Sequence, residues 1–290
     1  MDPQGKAPST PPSPGAEPWP LMTLPRSAYR TPPPPPGPSP VEVWIRRALL
    51  AALVGGAAFF GWRALGPPGV KRVGPRPAQG STVVVLLHGY GAPADDLVGL
   101  AGEISTALPG ATLLVPSGPH RVDVDGRSWI PSYSAPSRAE YAVRLAVEIE
   151  RTSRQVWKVI ADARGRGARC EDIFIGGFSQ GGRMAAEVAL RAPEGCALGG
   201  VMVLSGGGMD EVELPASQGQ PRMRVLVAHG TSDRVVSAAR GRALADHFAR
   251  GGHEVRWLEF PGPHTIPPAV REVIPAFVTG QAVGVHHDGG

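Results

Sequence analysis

The chain has 290 residues, with 29 Lys and Arg against 25 Asp and Glu, and it carries 39 Gly and 33 Pro. The formal charge of +4 comes with no dense basic stripe, which sets nucleic acid aside as a partner. Two cysteines, Cys170 and Cys196, are too few for a disulfide-built scaffold or a four-Cys zinc site, so the fold rests on apolar burial.

Fifteen prolines precede residue 41, five of them in the run Pro32 to Pro36. Residues 1–40 hold too little apolar surface to offset the entropy of ordering, and are expected to be disordered or polyproline II. They read as a spacer, or as a ligand for a partner with a proline-binding groove. Ala48 to Trp62 follow, fifteen residues without a charge. As a helix they span roughly 22 Å, short of a hydrocarbon core of about 30 Å unless Arg63 snorkels and Ala64 and Leu65 extend the span. Residues 41–66 are expected to be a hydrophobic helix that anchors the chain to a membrane through residues 48–65. A cleaved signal would need an n-region of 47 residues, and a buried or interfacial helix is the remaining alternative. Arginines flank both sides of the segment, so charge does not orient it, and an exported soluble protein is the alternative localisation. Residues 67–79 read as a linker.

Residues 80–280 alternate between short apolar runs and helical stretches. Strands are expected at Thr82 to Leu87, Ala111 to Val115, Asp172 to Ile175, Leu198 to Leu204, Met223 to Ala228 and Glu254 to Phe260. Helices are expected near 96–108, 138–164, 181–191, 236–250 and 268–277. Alternation of this kind predicts an α/β fold with a mostly parallel sheet covered on both faces. The runs VVVLL and VMVL are continuously apolar, as strands buried on both sides require. Active sites in such sheets gather at the carboxyl ends of the strands. Residues 281–290, with His286 and His287, read as a flexible tail.

The strand ending at Ile175 leads into Gly177-Phe178-Ser179-Gln180-Gly181 and a good helix. Gly-x-Ser-x-Gly at a strand-to-helix turn exposes the serine on a backbone so sharply bent that side chains two residues away would collide. The helix N-terminus behind Ser179 favours developing negative charge, and the Gln180 amide is placed to donate to it. A serine needs a base and a group to orient that base. Asp233 follows the run that ends in His229-Gly230, and His264 follows the run that ends in Phe260. Nucleophile, acid and histidine thus appear in the order Ser, Asp, His, each after a successive late strand. Asp210 is a rival acid and His120 a rival base or substrate contact. His229 reads as support for the Asp233 loop, and His247 and His253 face the wrong way. The second oxyanion donor should come from His88-Gly89-Tyr90-Gly91, with the Tyr90 amide as the choice. Asp95 and Asp96 read as helix-capping residues.

Gly-Phe-Ser-Gln-Gly-Gly at 177–182, Leu-His-Gly-Tyr-Gly at 87–91, His-Gly-Thr-Ser-Asp at 229–233 and the late His264 resemble an α/β-hydrolase of the phospholipase/carboxylesterase family that includes the acyl-protein thioesterases. The resemblance implies Ser179, Asp233 and His264 as a triad, the Tyr90 and Gln180 amides as an oxyanion hole, and Trp129 as a match for a tryptophan near the acyl site. The expected reaction is hydrolysis of a small-molecule ester through an acyl-serine, with no metal and no cofactor. About twenty residues separate Ser205 from the next strand, too few for a helical lid, so short to medium acyl chains are expected. The irregular loop 117–137 should supply specificity through Trp129, Ile130 and Tyr133, with Met209 beside them. A thioesterase, a peptidase or a true phospholipase is the alternative within enzymes, and a membrane-tethered interaction protein with an inactive hydrolase fold is the alternative outside them. Cys170 and Cys196 precede adjacent strands at the far end from the serine. They are expected to be two buried thiols, or to bridge if the domain is exported.

Overall fold

The computed structural model describes residues 69–281 except Ala94, Tyr133 and Asp210. The Pro-rich segment, the expected membrane helix, the tail from 282, the expected substrate contact Tyr133 and the rival acid Asp210 lie outside the described residues. Among the described residues no helix is long and apolar enough to cross a membrane.

Chain order runs β1 (Val70–Val73), β2 (Val83–Leu87), α1 (Val98–Ala107), β3 (Thr112–Pro116), β4 (His120–Arg121), β5 (Arg127–Ser128), α2 (Arg138–Gly165), β6 (Ile173–Phe178), α3 (Gln180–Leu190), β7 (Gly200–Leu204), β8 (Arg224–Gly230), α4 (Ala238–Arg250), β9 (Glu254–Phe260) and α5 (Pro268–Thr279). Seven strands form one sheet in the order β1-β3-β2-β6-β7-β8-β9, and β4 and β5 form a separate two-stranded ribbon. Every pairing in the large sheet is parallel except that of the edge strand β1 with β3. The stretch 67–79, expected as a linker, therefore contributes a strand. Its Val-Lys-Arg-Val sequence has no buried alternation because β1 is an exposed edge, where charged side chains are tolerated.

Successive residues of β2 are wholly buried and divide between two cores, as the two-residue period of a strand demands. Val83, Val85 and Leu87 join Ile175, Val201 and Val225 under α2, α3 and α4. Val84 and Leu86 join Phe174, Met202 and Leu226 under α1 and α5. Each fully buried Val, Leu or Ile contributes on the order of 1.5–3 kcal/mol, so the sheet is held from both sides. Helix α2 begins where Ser137 Oγ accepts from the Glu140 amide at 3.1 Å, the first half of a capping box. Its outer face carries the ion pairs Glu140–Arg144 and Glu150–Arg154. Helix α3 differs: from Gly181 to Leu190 every residue is buried, Arg183 and Glu187 included.

Cys170 and Cys196 form a disulfide with Cα atoms 5.4 Å apart, not the two separate thiols expected. They lie just before β6 and β7, neighbouring parallel strands, at the end of the sheet away from Ser179. The segment 206–223 contains no helix or strand among its described residues, so no lid domain rises over the sheet there.

Candidate active site

Strand β6 delivers Ser179 to the carboxyl end of the sheet, where it serves as N-cap of α3 with φ 54° and ψ −118°. Left-handed backbone at a non-glycine residue costs of order 1–3 kcal/mol and persists only where the surroundings enforce it. Here the Ser179 amide donates to Leu204 O at 2.9 Å, and its carbonyl accepts from the Arg183 amide at 3.2 Å. A side chain at Gly177 would run into the Gly181 carbonyl, and one at Gly181 into the carbonyl of Leu87. The two glycines of the motif are thus required by close backbone approach. Ser179 Oγ makes no hydrogen bond to a described residue, so the hydroxyl is free at the head of the helix.

Asp233 and His264 are brought together from the ends of β8 and β9. His264 Nδ1 lies 2.7 Å from Asp233 Oδ2, and the carboxylate is fully buried while the ring is 15% exposed. Asp233 Oδ1 accepts from the amides of Val235 and Val236 at 2.8 and 2.9 Å. Burial pushes this carboxyl up. The His264 hydrogen bond and the Val236 and Val235 amides together outweigh it, and the group sits below the usual carboxylate range. His229, wholly buried, donates Nε2–H to Val236 O at 2.8 Å and reaches Asp233 Oδ2 at 3.3 Å. It supports the acid loop, as its place at the strand end predicted. The Phe178 ring, one residue before the serine, packs 4.7 Å from the imidazole centroid. On the far side, Ser205 Oγ donates to the carbonyl of Thr265 at 3.1 Å, which holds the histidine loop to the end of β7. Ser205 itself has φ 50°.

The loop after β2 lies against the serine: a side chain on Gly89 would stand 3.2 Å from Phe178 Cδ1 and 3.6 Å from Ser179 Cβ. The amides of Tyr90 and Gln180 donate to no other described residue, which leaves two N–H groups free at this junction. His88 sets the loop's shape. Its buried ring donates Nδ1–H to Gly89 O at 2.8 Å and accepts from the Gly118 amide through Nε2 at 3.0 Å. Burial holds this imidazole below its ordinary value, so both bonds belong to the neutral ring.

Trp129 and Ile130 were expected to touch substrate. They are 0% and 5% exposed and pack in the core. The indole Nε1–H donates to His88 O at 2.8 Å, and the Trp129 amide donates to Gln180 Oε1 at 2.9 Å. Trp129 thus clamps the 88–91 loop and the turn at Ser179 together, and a side chain so enclosed offers no wall to a ligand. Met209 is half-buried against the same core. His120 pairs with Glu148 at 3.4 Å. His247 bonds Pro215 O, and His253 accepts from the Met223 amide. Asp95 pairs with Lys71 on the surface. Sequence reasoning missed Ser205, the Gln180 side chain and a buried ion group on α3, in which Glu187 is held by both Arg183 and Arg191. Arg183 also donates to Val212 O at 2.9 Å, which fastens the 206–214 loop to α3.

Residues 70–279 match the phospholipase/carboxylesterase family model. The carboxylesterase SOBER1 of Arabidopsis thaliana is 27% identical over 190 residues, which is 62% of this chain and 82% of that protein. An acyl-protein thioesterase 1 of Eremothecium gossypii is 24% identical over 220 residues, 71% of this chain and 91% of that one. Among solved structures, esterase PE8 superposes with a TM-score of 0.62 at 24% identity, over 75% of this chain and all of that chain, and so supports the fold. An inactive interaction module is not favoured by this company. The chain belongs to the phospholipase/carboxylesterase family, α/β-hydrolases that act as serine hydrolases on carboxylic esters.

Proposed function

We propose that Ser179, Asp233 and His264 form the catalytic triad of a carboxylesterase for short to medium acyl chains. The observation that carries this is the 2.7 Å bond between Asp233 and His264, set beside a serine in left-handed backbone at a helix N-terminus. With Nδ1–H committed to the buried carboxylate, Nε2 is the bare ring nitrogen and can take the serine proton. The contact between hydroxyl and imidazole closes by rotation of the serine side chain as substrate enters, because such bonds are often loose in free enzymes. Ser179 Oγ attacks the ester carbonyl, and the oxyanion is held by the Tyr90 and Gln180 amides and by the positive end of α3. His264 then protonates the leaving alcohol, and a water activated by the same nitrogen releases the acid. Asp233 stays ionised throughout and stabilises the imidazolium.

The test is release of 4-nitrophenol from 4-nitrophenyl butyrate by the full chain and by Ser179→Ala. A folded variant should lose nearly all turnover, and equal rates in the two proteins would remove the reading. The chain is further read as held at a membrane by residues 48–65, with the domain in an oxidising compartment that suits the Cys170–Cys196 bridge. Alkaline extraction of membranes should leave the full chain in the pellet, and its release would refute the anchor.

A further inference from the structure

Beside the oxyanion loop a cleft of about 560 Å³ opens, walled by Tyr90, His120, Arg121, Arg127, Ser128 and Ser132 among others. Among the described residues no carboxylate lines it. Arg121 and Arg127 are directly paired across the β4–β5 ribbon, so their side chains leave on the same face. Like charges directly opposite one another destabilise a strand pair, and neither guanidinium has an ion pair or hydrogen bond with a described residue. The two acids nearest in sequence lie in the turn between the strands: Asp123 Oδ1 accepts from the Asp125 and Gly126 amides at 3.1 and 2.7 Å, and neither Asp123 nor Asp125 has an ion pair with an arginine among the described residues. Glu148 is held by His120 and Arg151. The cleft therefore offers two unpaired cations, and its wall includes Tyr90, whose amide faces the reacting carbonyl in the proposed mechanism.

We propose that this cleft is a subsite for an anionic group of the ester, a carboxylate or a phosphate carried near the scissile bond and bound by Arg121 and Arg127. Planar guanidiniums suit either group through paired N–H donors, and a bound anion relieves the repulsion between the two arginines. The subsite deepens the esterase reading and rests on it. It also locates the specificity of the 117–137 loop in its charged ribbon, away from its buried aromatic.

Two matched pairs of esters test the proposal on the full chain. 4-Nitrophenyl hemiglutarate against 4-nitrophenyl butyrate places a carboxylate on the acyl side. Monobutyryl glycerol phosphate against monobutyryl glycerol places a phosphate on the leaving group. For each protein the quantity read is the ratio of kcat/KM for the charged ester to that for its neutral partner, which does not depend on the fraction folded. At least one ratio should fall about tenfold or more in Arg121→Ala/Arg127→Ala. It should recover in large part in Arg121→Lys/Arg127→Lys and decline with added salt in the wild type. The pair that responds identifies the source of the anion. If both ratios stay within about twofold of the wild type in the alanine variant, the subsite is refuted. If the wild type hydrolyses none of the four esters, the esterase reading itself has failed, a result distinct from the loss of preference.

Discussion

Replacing Asp233 by asparagine changes almost nothing in shape and reverses one hydrogen bond. The asparagine Oδ1 can still accept from the Val235 and Val236 amides, but the position 2.7 Å from His264 Nδ1 becomes an NH2 donor. Two donors then face each other unless the ring adopts the other tautomer, and that tautomer carries its proton on Nε2. Such a ring cannot accept the proton of Ser179. The expected loss in kcat is about 10³–10⁴-fold, or roughly 4–5.5 kcal/mol of transition-state stabilisation at about 1.36 kcal/mol per decade. KM should change far less, because the carboxylate touches no substrate. The assay is 4-nitrophenyl butyrate hydrolysis at neutral pH, with a circular dichroism melt to establish folding. A folded Asp233→Asn enzyme whose kcat stays within about tenfold of wild type would refute the assignment of base and orienting acid. The same substitution has a second signature. In the folded chain burial raises the Asp233 carboxyl, and the bonds from His264, Val236 and Val235 carry it further down, below its ordinary 3.8. Its contribution to stability is therefore complete above that value and is lost as the pH falls through the lower folded value. Asp233→Asn should lack this part of the acid limb in a stability-against-pH series.

Ser205→Ala keeps the left-handed backbone but leaves the Thr265 carbonyl without its donor. It should cost about 1–2 kcal/mol in chemical denaturation and lower kcat several-fold with little change in KM; an unchanged kcat would show that the bond does not position His264. The Cys170–Cys196 bridge spans 26 residues of sequence, for which chain entropy gives roughly 3.5 kcal/mol. The double alanine variant should unfold at correspondingly lower urea while its kcat holds, since the bridge lies at the opposite end of the sheet from the serine. Glu187→Gln leaves two guanidiniums without a counter-charge inside α3 and should destabilise by about 3–5 kcal/mol. A variant as stable as the wild type in urea titration would show that water reaches the group.

The order of serine, acid and histidine could be read from the chain because each follows an apolar run with the period of a buried strand, and parallel topology sends all three to one end. The place of the 88–91 loop beside Ser179 was legible for the same reason. Three other features depend on what lies opposite a residue, which local sequence does not encode. Arg183 and Glu187, four apart on a helix, have the spacing of a solvated ion pair; they are interior because α3 alone is enclosed on every side. Trp129 sits in an irregular loop, where an aromatic reads as a cleft wall. Its depth follows from partners 41 and 51 residues away, His88 and Gln180. β1 escaped notice because an edge strand with one antiparallel neighbour needs no apolar alternation. The disulfide was geometrically permitted by the expected strand order, but nothing in the spacing of two cysteines chooses between bridge and thiols.

Among the described residues, the two non-glycine residues in left-handed backbone, Ser179 and Ser205, are joined almost directly, because the amide of one donates to the carbonyl preceding the other. Conformational tension in this domain is thus concentrated at one spot, where two neighbouring strands finish, and the rest of the sheet acts as the vice that keeps it there. Glycine at 179 would relax the vice and leave a sturdier, duller protein, whereas glycine at 205 would give back the relief by losing the bond to Thr265. A thermal-robustness screen run without regard to turnover should therefore drift toward Ser179 first, and sacrifice the chemistry as it goes.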